Sequence, residues 1–194
     1  WQAEKVIQEW YDNEPEGKSV TIIRPTVIFG ERNRGNVYNL LKQISSRKFM
    51  MIGNGQNKKS MAYIGNIVAL IKNRIDKSDP GYQIFNYADK PDLTMTELVS
   101  LVETKINISI PKFKIPYWMG MLIGYGFDFI GFITKEKKAI SSIRVKKFCA
   151  TTQYDASKIN SDFIAPYSLD QGINATLEHE FINKKKDETL FYSE

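Results

Sequence analysis

The sequence is poor in the residues that carry metal and thiol chemistry. Among its 194 residues there is one cysteine, Cys149, and one histidine, His179. A single cysteine cannot form an internal disulfide, which favours a reducing compartment such as the cytoplasm. Together the two residues cannot supply a zinc site of the ordinary type. Composition therefore argues against metal-dependent hydrolysis and against Cys–His catalysis.

Concentrated positive charge is also missing. The net charge of +5 comes from 27 basic and 22 acidic side chains. The basic residues are scattered, apart from the run Lys184-Lys185-Lys186, which is interpreted as a solvated helix end. No basic stripe or nucleic-acid-binding motif is present, so we predict no nucleic-acid partner.

The sequence also lacks a dinucleotide-binding glycine fingerprint. The turn at 53–55 (Gly-Asn-Gly) has no third glycine and no following helix at the required spacing. The pairs Tyr38/Lys42 and Tyr154/Lys158 have a spacing at which an ammonium group can lower a phenol pKa for acid–base catalysis. The first pair lies within an amphipathic helix pattern and the second straddles a predicted helix start. Neither pair is interpreted as catalytic.

What the sequence does have is a regular alternation of strand and helix patterns. Helices are predicted at 1–12, 36–47, 66–74, 94–105 and 168–181, and strands at 19–29, 49–52, 61–64 and 83–87. The strand at 19–29 is apolar almost throughout, which predicts burial on both faces. Thr94 and Glu97 have the spacing of a capping box at a helix start. The alternation predicts an α/β fold with parallel strands.

Residues 115–134 form the longest apolar stretch. They contain one charge, Asp128, four glycines and a Gly120-x-x-x-Gly124 spacing. The length would suit a bilayer span, but the charge and the glycines argue against one. Two alternatives remain: a helix at a membrane surface, giving peripheral membrane contact, and a helix buried in the core.

Four segments resemble the extended short-chain dehydrogenase/reductase family, whose NAD-dependent epimerases and dehydratases act largely on nucleotide sugars. They are WQAEK at the start, IIRPTVIFG at 22–30, GNGQNKKSMAYIGNIV at 53–68 and YDASKINSDFIAPYSLDQGINATLEHEF at 154–181. Their order and spacing extend the resemblance over nearly the whole chain.

The resemblance implies the carboxy-terminal part of such an enzyme. The fold would be the back half of a Rossmann-type parallel sheet plus a smaller mixed α/β substrate-binding domain. Residues 1–30 and 82–105 would belong to the NAD-binding domain, and residues 31–81 and 106–194 to the substrate-binding domain. The family's glycine fingerprint and its catalytic Tyr and Lys would precede Trp1. We therefore expect no catalytic residue in this chain, and no activity from it alone; a homodimer fits the resemblance.

The resemblance also implies two sets of binding residues. Pro25, Thr26 and Val27 would flank the nicotinamide of NAD or NADP at the carboxyl end of the strand. Six positions match substrate-binding positions of the family: Asn36 and Val37 at a helix start, Met50 and Ile52 beside the base, and Lys59 and Arg144 near the phosphates. A helix start suits an anion through its free N–H groups. No metal ligand is implied.

The chain departs from the family pattern at several positions. Val27 stands where many relatives have Asn, Glu31 where they have Pro, Lys59 where they have Arg, and Gly65-Asn66 where they have Asp. The expected function is a nucleotide-sugar epimerase, dehydratase or reductase with a UDP-sugar substrate, in bacterial surface-polysaccharide synthesis. A non-catalytic nucleotide-binding relative, a reductase of a non-sugar ketone and a membrane-docked partner protein are the alternatives.

Overall fold

The computed structural model describes residues 1–135, 141–183 and 189–192, so the lysine run at 184–186 lies outside the described residues. The helices are α1 (Gln2–Asn13), α2 (Asn36–Ser45), α3 (Ile64–Lys77), α4 (Met95–Lys105), α5 (Tyr117–Thr134), α6 (Ser142–Cys149), α7 (Ser157–Asn160) and α8 (Leu169–Leu177). A π-helical segment, Glu178–Ile182, continues α8. The strands are β1 (Ser19–Pro25), β2 (Val27–Phe29), β3 (Met51–Ile52), β4 (Lys58–Lys59), β5 (Met61–Tyr63), β6 (Gly81–Tyr87), β7 (Leu93–Thr94) and β8 (Lys114–Ile115).

Most of the strand pairs formed by the described residues are parallel. β1 pairs with β6 from Ser19↔Gly81 to Pro25↔Tyr87, β2 pairs with β5, and β3 pairs with β8, all in parallel. β4 and β7 form an antiparallel pair. In each of the two longer parallel pairs, β1–β6 and β2–β5, the chain between the two strands contains helix, as such crossovers require. The predicted α/β class with parallel strands is confirmed.

The predicted strand at 19–29 is in fact two strands. Pro25 has no N–H to donate, and at Thr26, whose N–H donates to Tyr87 O at 3.0 Å, the chain leaves β6 and continues toward β5. The predicted burial on both faces is also wrong for β1, where only Val20 is buried. Among the described residues β1 has one neighbouring strand, β6, so much of its surface stays accessible.

Two apolar clusters hold these elements together. The larger joins α2, α4 and α8 around fully buried residues such as Leu41 and Val102. The smaller packs α3 and α7 against β6, around Leu70 and Ile159. The predicted capping box is confirmed: Thr94 Oγ1 accepts from Glu97 N–H at 3.1 Å, and the Glu97 carboxylate accepts from Thr94 N–H at 2.7 Å. Such a cap contributes about 1 kcal/mol. The proposed division into two domains stays a prediction.

The apolar stretch at 115–134 contains one helix, α5, which packs on α6 through its glycines. A Cβ added at Gly124 would lie 2.7 Å from Ser142 Cα, so only glycine permits this approach. Asp128 accepts hydrogen bonds from the N–H and the hydroxyl of Ser142. The opposite side of α5 is exposed, with Trp118 at 61%, so the alternative of a core-buried helix is wrong. Within the described ranges, no helix is both long and apolar enough to cross a membrane.

Candidate functional site

The carboxyl ends of β1 and β6 meet at a hydroxyl that has no hydrogen-bond partner among the described residues. The two strands end together, at Pro25 and Tyr87. Thr26 follows directly, and its Oγ1 is buried without a hydrogen bond to any described residue. An unsatisfied buried hydroxyl costs about 1–3 kcal/mol. The next residue, Val27, is 40% exposed. This edge, where Pro25, Thr26 and Val27 were predicted to bind a cofactor, therefore has an exposed valine beside a buried hydroxyl whose capacity to donate and accept is not used by the described residues.

The loop after β2 is held by a charge-assisted hydrogen bond. Tyr63 Oη donates to the Glu31 carboxylate at 2.9 Å. Burial, and then the bond to Glu31, raise the pKa of Tyr63, so the phenol stays a donor rather than an acid. Its ring packs against Gly172, where an added Cβ would lie 2.6 Å from Tyr63 Cγ. Glu31, which replaces the family's Pro, therefore has a defined role in holding this loop.

The start of α2 is open to a ligand, while its first apolar residue is not. The Asn33 side chain accepts from Gly35 N–H at 2.9 Å and donates to Ile28 O at 3.1 Å, which sets the entry of the chain into α2. Asn36 is exposed, and no side chain of the described residues caps this helix start. Free N–H groups there suit an anion. Val37 is 6% exposed and belongs to the larger cluster, so its predicted contact with a base stays a prediction.

Met50 and Ile52 lie on the same side of the chain at β3, because alternate residues of a strand face the same way. Met50 is 59% exposed and Met51, between them, is buried. Ile52 O accepts from Cys149 Sγ at 3.4 Å. Burial raises the pKa of the Cys149 thiol, against a smaller opposing effect of Lys59. The backbone of Ile52 thus lies next to the end of α6, while its side chain packs on Gly120 of α5.

Lys59 holds the carboxyl end of α6. Its ammonium donates to Lys147 O at 2.8 Å, to Ala150 O at 2.5 Å and to Thr152 Oγ1 at 3.3 Å. An ammonium group has three N–H donors, so these contacts use all of them. Burial lowers the pKa of Lys59. A phosphate would have to replace one of these acceptors, and the predicted phosphate contact stays a prediction.

A basic cleft of about 720 Å³ lies beside this lysine. Its walls are Gly53, Asn54, Lys114, Ile115, Pro116, Tyr117, Lys146, Cys149 and Ala150. Two of these lining residues are lysines and none is acidic. Ile52 and Lys59 border the cleft through their bonds to Cys149 and Ala150. The cleft is therefore suited to an anionic ligand with an apolar part.

Sequence reasoning missed Lys114 and Lys146. The available signal was the basic run of α6, Arg-Val-Lys-Lys at 144–147. Arg144, the one residue of this run that was predicted, lies in the first turn of α6, where its N–H donates to Ser141 Oγ at 3.2 Å, and its side chain is exposed. Lys59 binds the last turn of the same helix, so the two predicted phosphate contacts lie at opposite ends of α6.

In both Tyr-x-x-x-Lys pairs, one side chain makes contacts with residues outside the pair. Lys158 Nζ donates to Ile84 O at 3.0 Å and lies over the Phe85 ring. The Tyr38 ring stacks on Phe181 and under the Arg34 guanidinium. In the part of the chain that the structure describes, no group of three His, Cys, Asp or Glu side chains could hold a metal ion.

No family model matches the chain, but curated relatives and solved structures do. It is 59% identical over 195 aligned positions to the N-acetyl-alpha-D-glucosaminyl-diphospho-ditrans,octacis-undecaprenol 4-epimerase of Escherichia coli O157:H7, covering 100% of the chain and 59% of the relative. It is 27% identical to the UDP-glucose 4-epimerase of Vibrio cholerae, covering 82% of the chain and 46% of the relative. The chain thus spans less than two thirds of either relative.

Among solved structures, the UDP-glucuronic acid 4-epimerase of Bacillus cereus in complex with NAD superposes with a TM-score of 0.61. The match covers 90% of the chain and 48% of the epimerase, at 16% identity. At that identity the likeness is one of fold alone. It supports a Rossmann-type arrangement of the described parallel strands.

Proposed function

The chain belongs to the extended short-chain dehydrogenase/reductase family, and we propose that it forms the sugar-diphosphate-binding part of an NAD-dependent 4-epimerase. The proposed substrate is an N-acetylhexosamine linked through a diphosphate to a polyprenol, by analogy with the relative that is 59% identical. The proposed setting is bacterial surface-polysaccharide synthesis.

The observation that carries the cofactor proposal is the unpartnered Thr26 hydroxyl. It is buried at the carboxyl end of two parallel strands, where ligands bind in open α/β sheets. Pro25, Thr26 and Val27 would line the nicotinamide, with the Thr26 hydroxyl bonded to it. When bound, NAD supplies reversible hydride exchange with a carbon of the sugar.

The diphosphate would lie in the basic cleft. Lys114 is held in place by its bond to Asn54 O at 2.9 Å, and Lys146 faces the same space from α6. Two ammonium groups around one diphosphate give charge-assisted contacts, which are stronger than neutral hydrogen bonds. Met50 and Ile52 would provide the apolar border, and Asn36 and Arg144 further polar contacts.

The proposal is tested with the full-length protein and two substrates, polyprenyl-diphospho-N-acetylglucosamine and UDP-N-acetylglucosamine. After mild acid release, chromatography separates the sugar from its 4-epimer. We expect conversion of the polyprenyl substrate in the presence of NAD. If neither substrate yields the 4-epimer, the chain is not part of a 4-epimerase of this kind.

Thr26→Val is the sharpest test of the cofactor contact. Valine has nearly the shape of threonine but no hydroxyl, so the variant removes an unsatisfied buried group from the free protein. We expect the free energy of unfolding to stay within about 1 kcal/mol or to rise, while NAD binding in the full-length protein weakens by about ten-fold. Unfolding in urea and calorimetric NAD titration measure the two effects. Unchanged NAD affinity would remove Thr26 from the site.

Lys59→Ala tests the phosphate contact. A charge-assisted hydrogen bond contributes about 1.5–3 kcal/mol, so KM for the diphosphate substrate should rise about ten-fold or more, with NAD binding unchanged. Lys58→Ala is the matched control, because Lys58 is exposed and carries the same charge. If Lys59 only holds α6, the variant will lose stability while KM changes less than two-fold among the molecules that remain folded.

A further inference from the structure

Helix α5 presents a continuous apolar face to solvent. This apolar face consists of Trp118, Leu122, Tyr125, Phe129, Phe132 and Ile133, which are between 58% and 83% exposed. Their spacing of three or four residues puts them on one side of the helix. Exposure of so many adjacent large apolar side chains is unusual for a protein surface and marks a contact site.

The only charged side chain of α5 is turned away from this face. Gly120 and Gly124 pack on Ile52 and Ser142, and each lies two positions after a member of the apolar face, about 200° around the helix. Asp128 accepts from the N–H and the hydroxyl of Ser142, on the α6 side. The apolar face is therefore free of charge along the 18 residues of the helix.

Exposed lysines flank α5 in the sequence. Lys112 and Lys114 lie within the five residues before α5 and Lys135 directly follows it, all three exposed, and Asp128 is the only acidic residue from 112 to 135. Lysines that flank an exposed apolar helix, with Trp and Tyr on the helix itself, are the composition that binds the boundary between the headgroups and acyl chains of an anionic bilayer.

We propose that the apolar face of α5 docks on the surface of an anionic lipid bilayer, with the helix lying in the plane of that surface. A helix of 18 residues is about 27 Å long, and it is anchored to α6 along one side, so it can lie on a bilayer without entering it end-on. Trp118 and Tyr125 combine apolar rings with polar tips, which suits the interface. Lys112 and Lys135, outside the cleft, meet the anionic headgroups.

The position of the cleft gives this docking a use, and this step rests on the proposed function. Lys114 and Tyr117 line the basic cleft, and Tyr117 is the first residue of α5. The docked face thus begins where the cleft ends. A diphosphate in the cleft could remain attached to a polyprenyl chain that stays in the bilayer, so that the lipid tail need not be extracted.

The test is flotation of the full-length protein with vesicles of phosphatidylcholine and phosphatidylglycerol. Phe129→Glu replaces a side chain of the apolar face, and Ile164→Glu is the matched control, because Ile164 is 91% exposed, is not part of α5 and undergoes the same charge change. We expect the parent and Ile164→Glu to float, and the bound fraction of Phe129→Glu to fall about ten-fold or more.

Three results would overturn the proposal. The first is equal flotation of parent and Phe129→Glu, and the second is equal loss in both variants. The third is a parent that does not bind vesicles but sediments as a dimer, while Phe129→Glu sediments as a monomer. That result would assign the apolar face to contact with a second copy of the chain. Thermal unfolding checks that Phe129→Glu, at a position 66% exposed, keeps the parent's midpoint. Flotation needs no turnover, so failure of docking and failure of the epimerase proposal are separate results.

Discussion

Asn66→Asp is expected to lower the free energy of unfolding by about 3–5 kcal/mol at pH 7, although aspartate is the residue that the family pattern has near this position. Asn66 is fully buried, and its Nδ2 donates to Asp89 Oδ1 and to Tyr167 O, both at 2.9 Å. Asp89 also accepts from Tyr63 N–H at 2.7 Å and from Tyr87 Oη at 2.6 Å. An aspartate at 66 would put a second carboxylate against the first and remove the donor between them.

The effect should depend on pH in a defined direction. Two carboxylates in contact keep a proton in the folded state above the pH at which the unfolded chain releases it. Because the folded variant then binds more protons than the unfolded one, its stability falls as pH rises through that window and recovers in acid. Urea unfolding at several pH values measures this.

Two further variants separate charge repulsion from other causes. Asn86→Asp adds the same charge at an exposed position of β6 and should cost less than about 0.5 kcal/mol. Combining Asn66→Asp with Asp89→Asn restores one donor and one carboxylate, so it should recover part of the loss in a double-mutant cycle. A single Asn66→Asp variant as stable as the parent at pH 7 would contradict this account of the buried network.

The parts of the fold that sequence predicted well are those encoded locally. The capping box at Thr94 depends on residues three positions apart, and α4 begins there as expected. The β-branched run of β1 and the helical spacing of α2 are likewise properties of one segment. The boundary at Thr26 was missed because it depends on which strand pairs with the chain on either side, and that partner is distant in sequence.

The elements that were missed are held by distant contacts. β4 contains two lysines and has little intrinsic preference for a strand; it pairs with β7 and with Thr152. α6 has eight residues, of which only Ser142 and Val145 are buried, so its apolar pattern is weak. Its local signal is the cap, in which Ser141 Oγ accepts from Arg144 N–H.

The same distinction applies to the candidate site. Thr26 was predicted because it follows a recognisable strand, and its unpartnered hydroxyl then emerged from the structure. The cleft lysines were missed because α6 and β8 bring them together from different parts of the chain. The three acceptors of Lys59 are 88, 91 and 93 residues away in sequence. The motif therefore identified Lys59 as a candidate residue, but the three acceptors of its ammonium group could be found only in the folded structure.

Glu180→Ala is expected to lower the free energy of unfolding by about 3 kcal/mol and to loosen the loop that leads to Asn36. The Glu180 side chain is 3% exposed and forms an ion pair with the Arg34 guanidinium. It also accepts from Arg32 N–H at 2.6 Å. Arg32 has a φ of +67°, in the left-handed region that non-glycine residues rarely adopt. Alanine would leave a guanidinium and a backbone N–H without their acceptor, next to a strained residue.

The second stabilising contact of this loop is on the main chain and should survive. Arg34 N–H donates to Phe191 O at 2.7 Å, and Phe191 N–H donates to Arg32 O at 3.0 Å. Because these bonds do not involve Glu180, we expect the variant to fold with a weakened loop. Glu178→Ala is the control, two residues earlier on the exposed side, and it should lose less than about 1 kcal/mol.

The pH dependence identifies the carboxylate as the cause. Burial by itself raises the pKa of Glu180, but the bonds from Arg32 and Arg34 outweigh it, so the net pKa is lowered from 4.5. A lowered pKa means that the contribution to stability is fully present above the unfolded value and is lost as pH falls through the folded value. The stability difference between the parent and Glu180→Gln should therefore be constant near neutral pH and shrink below about pH 4.5. A difference that stays the same down to the acid transition would show that shape, rather than charge, holds this loop.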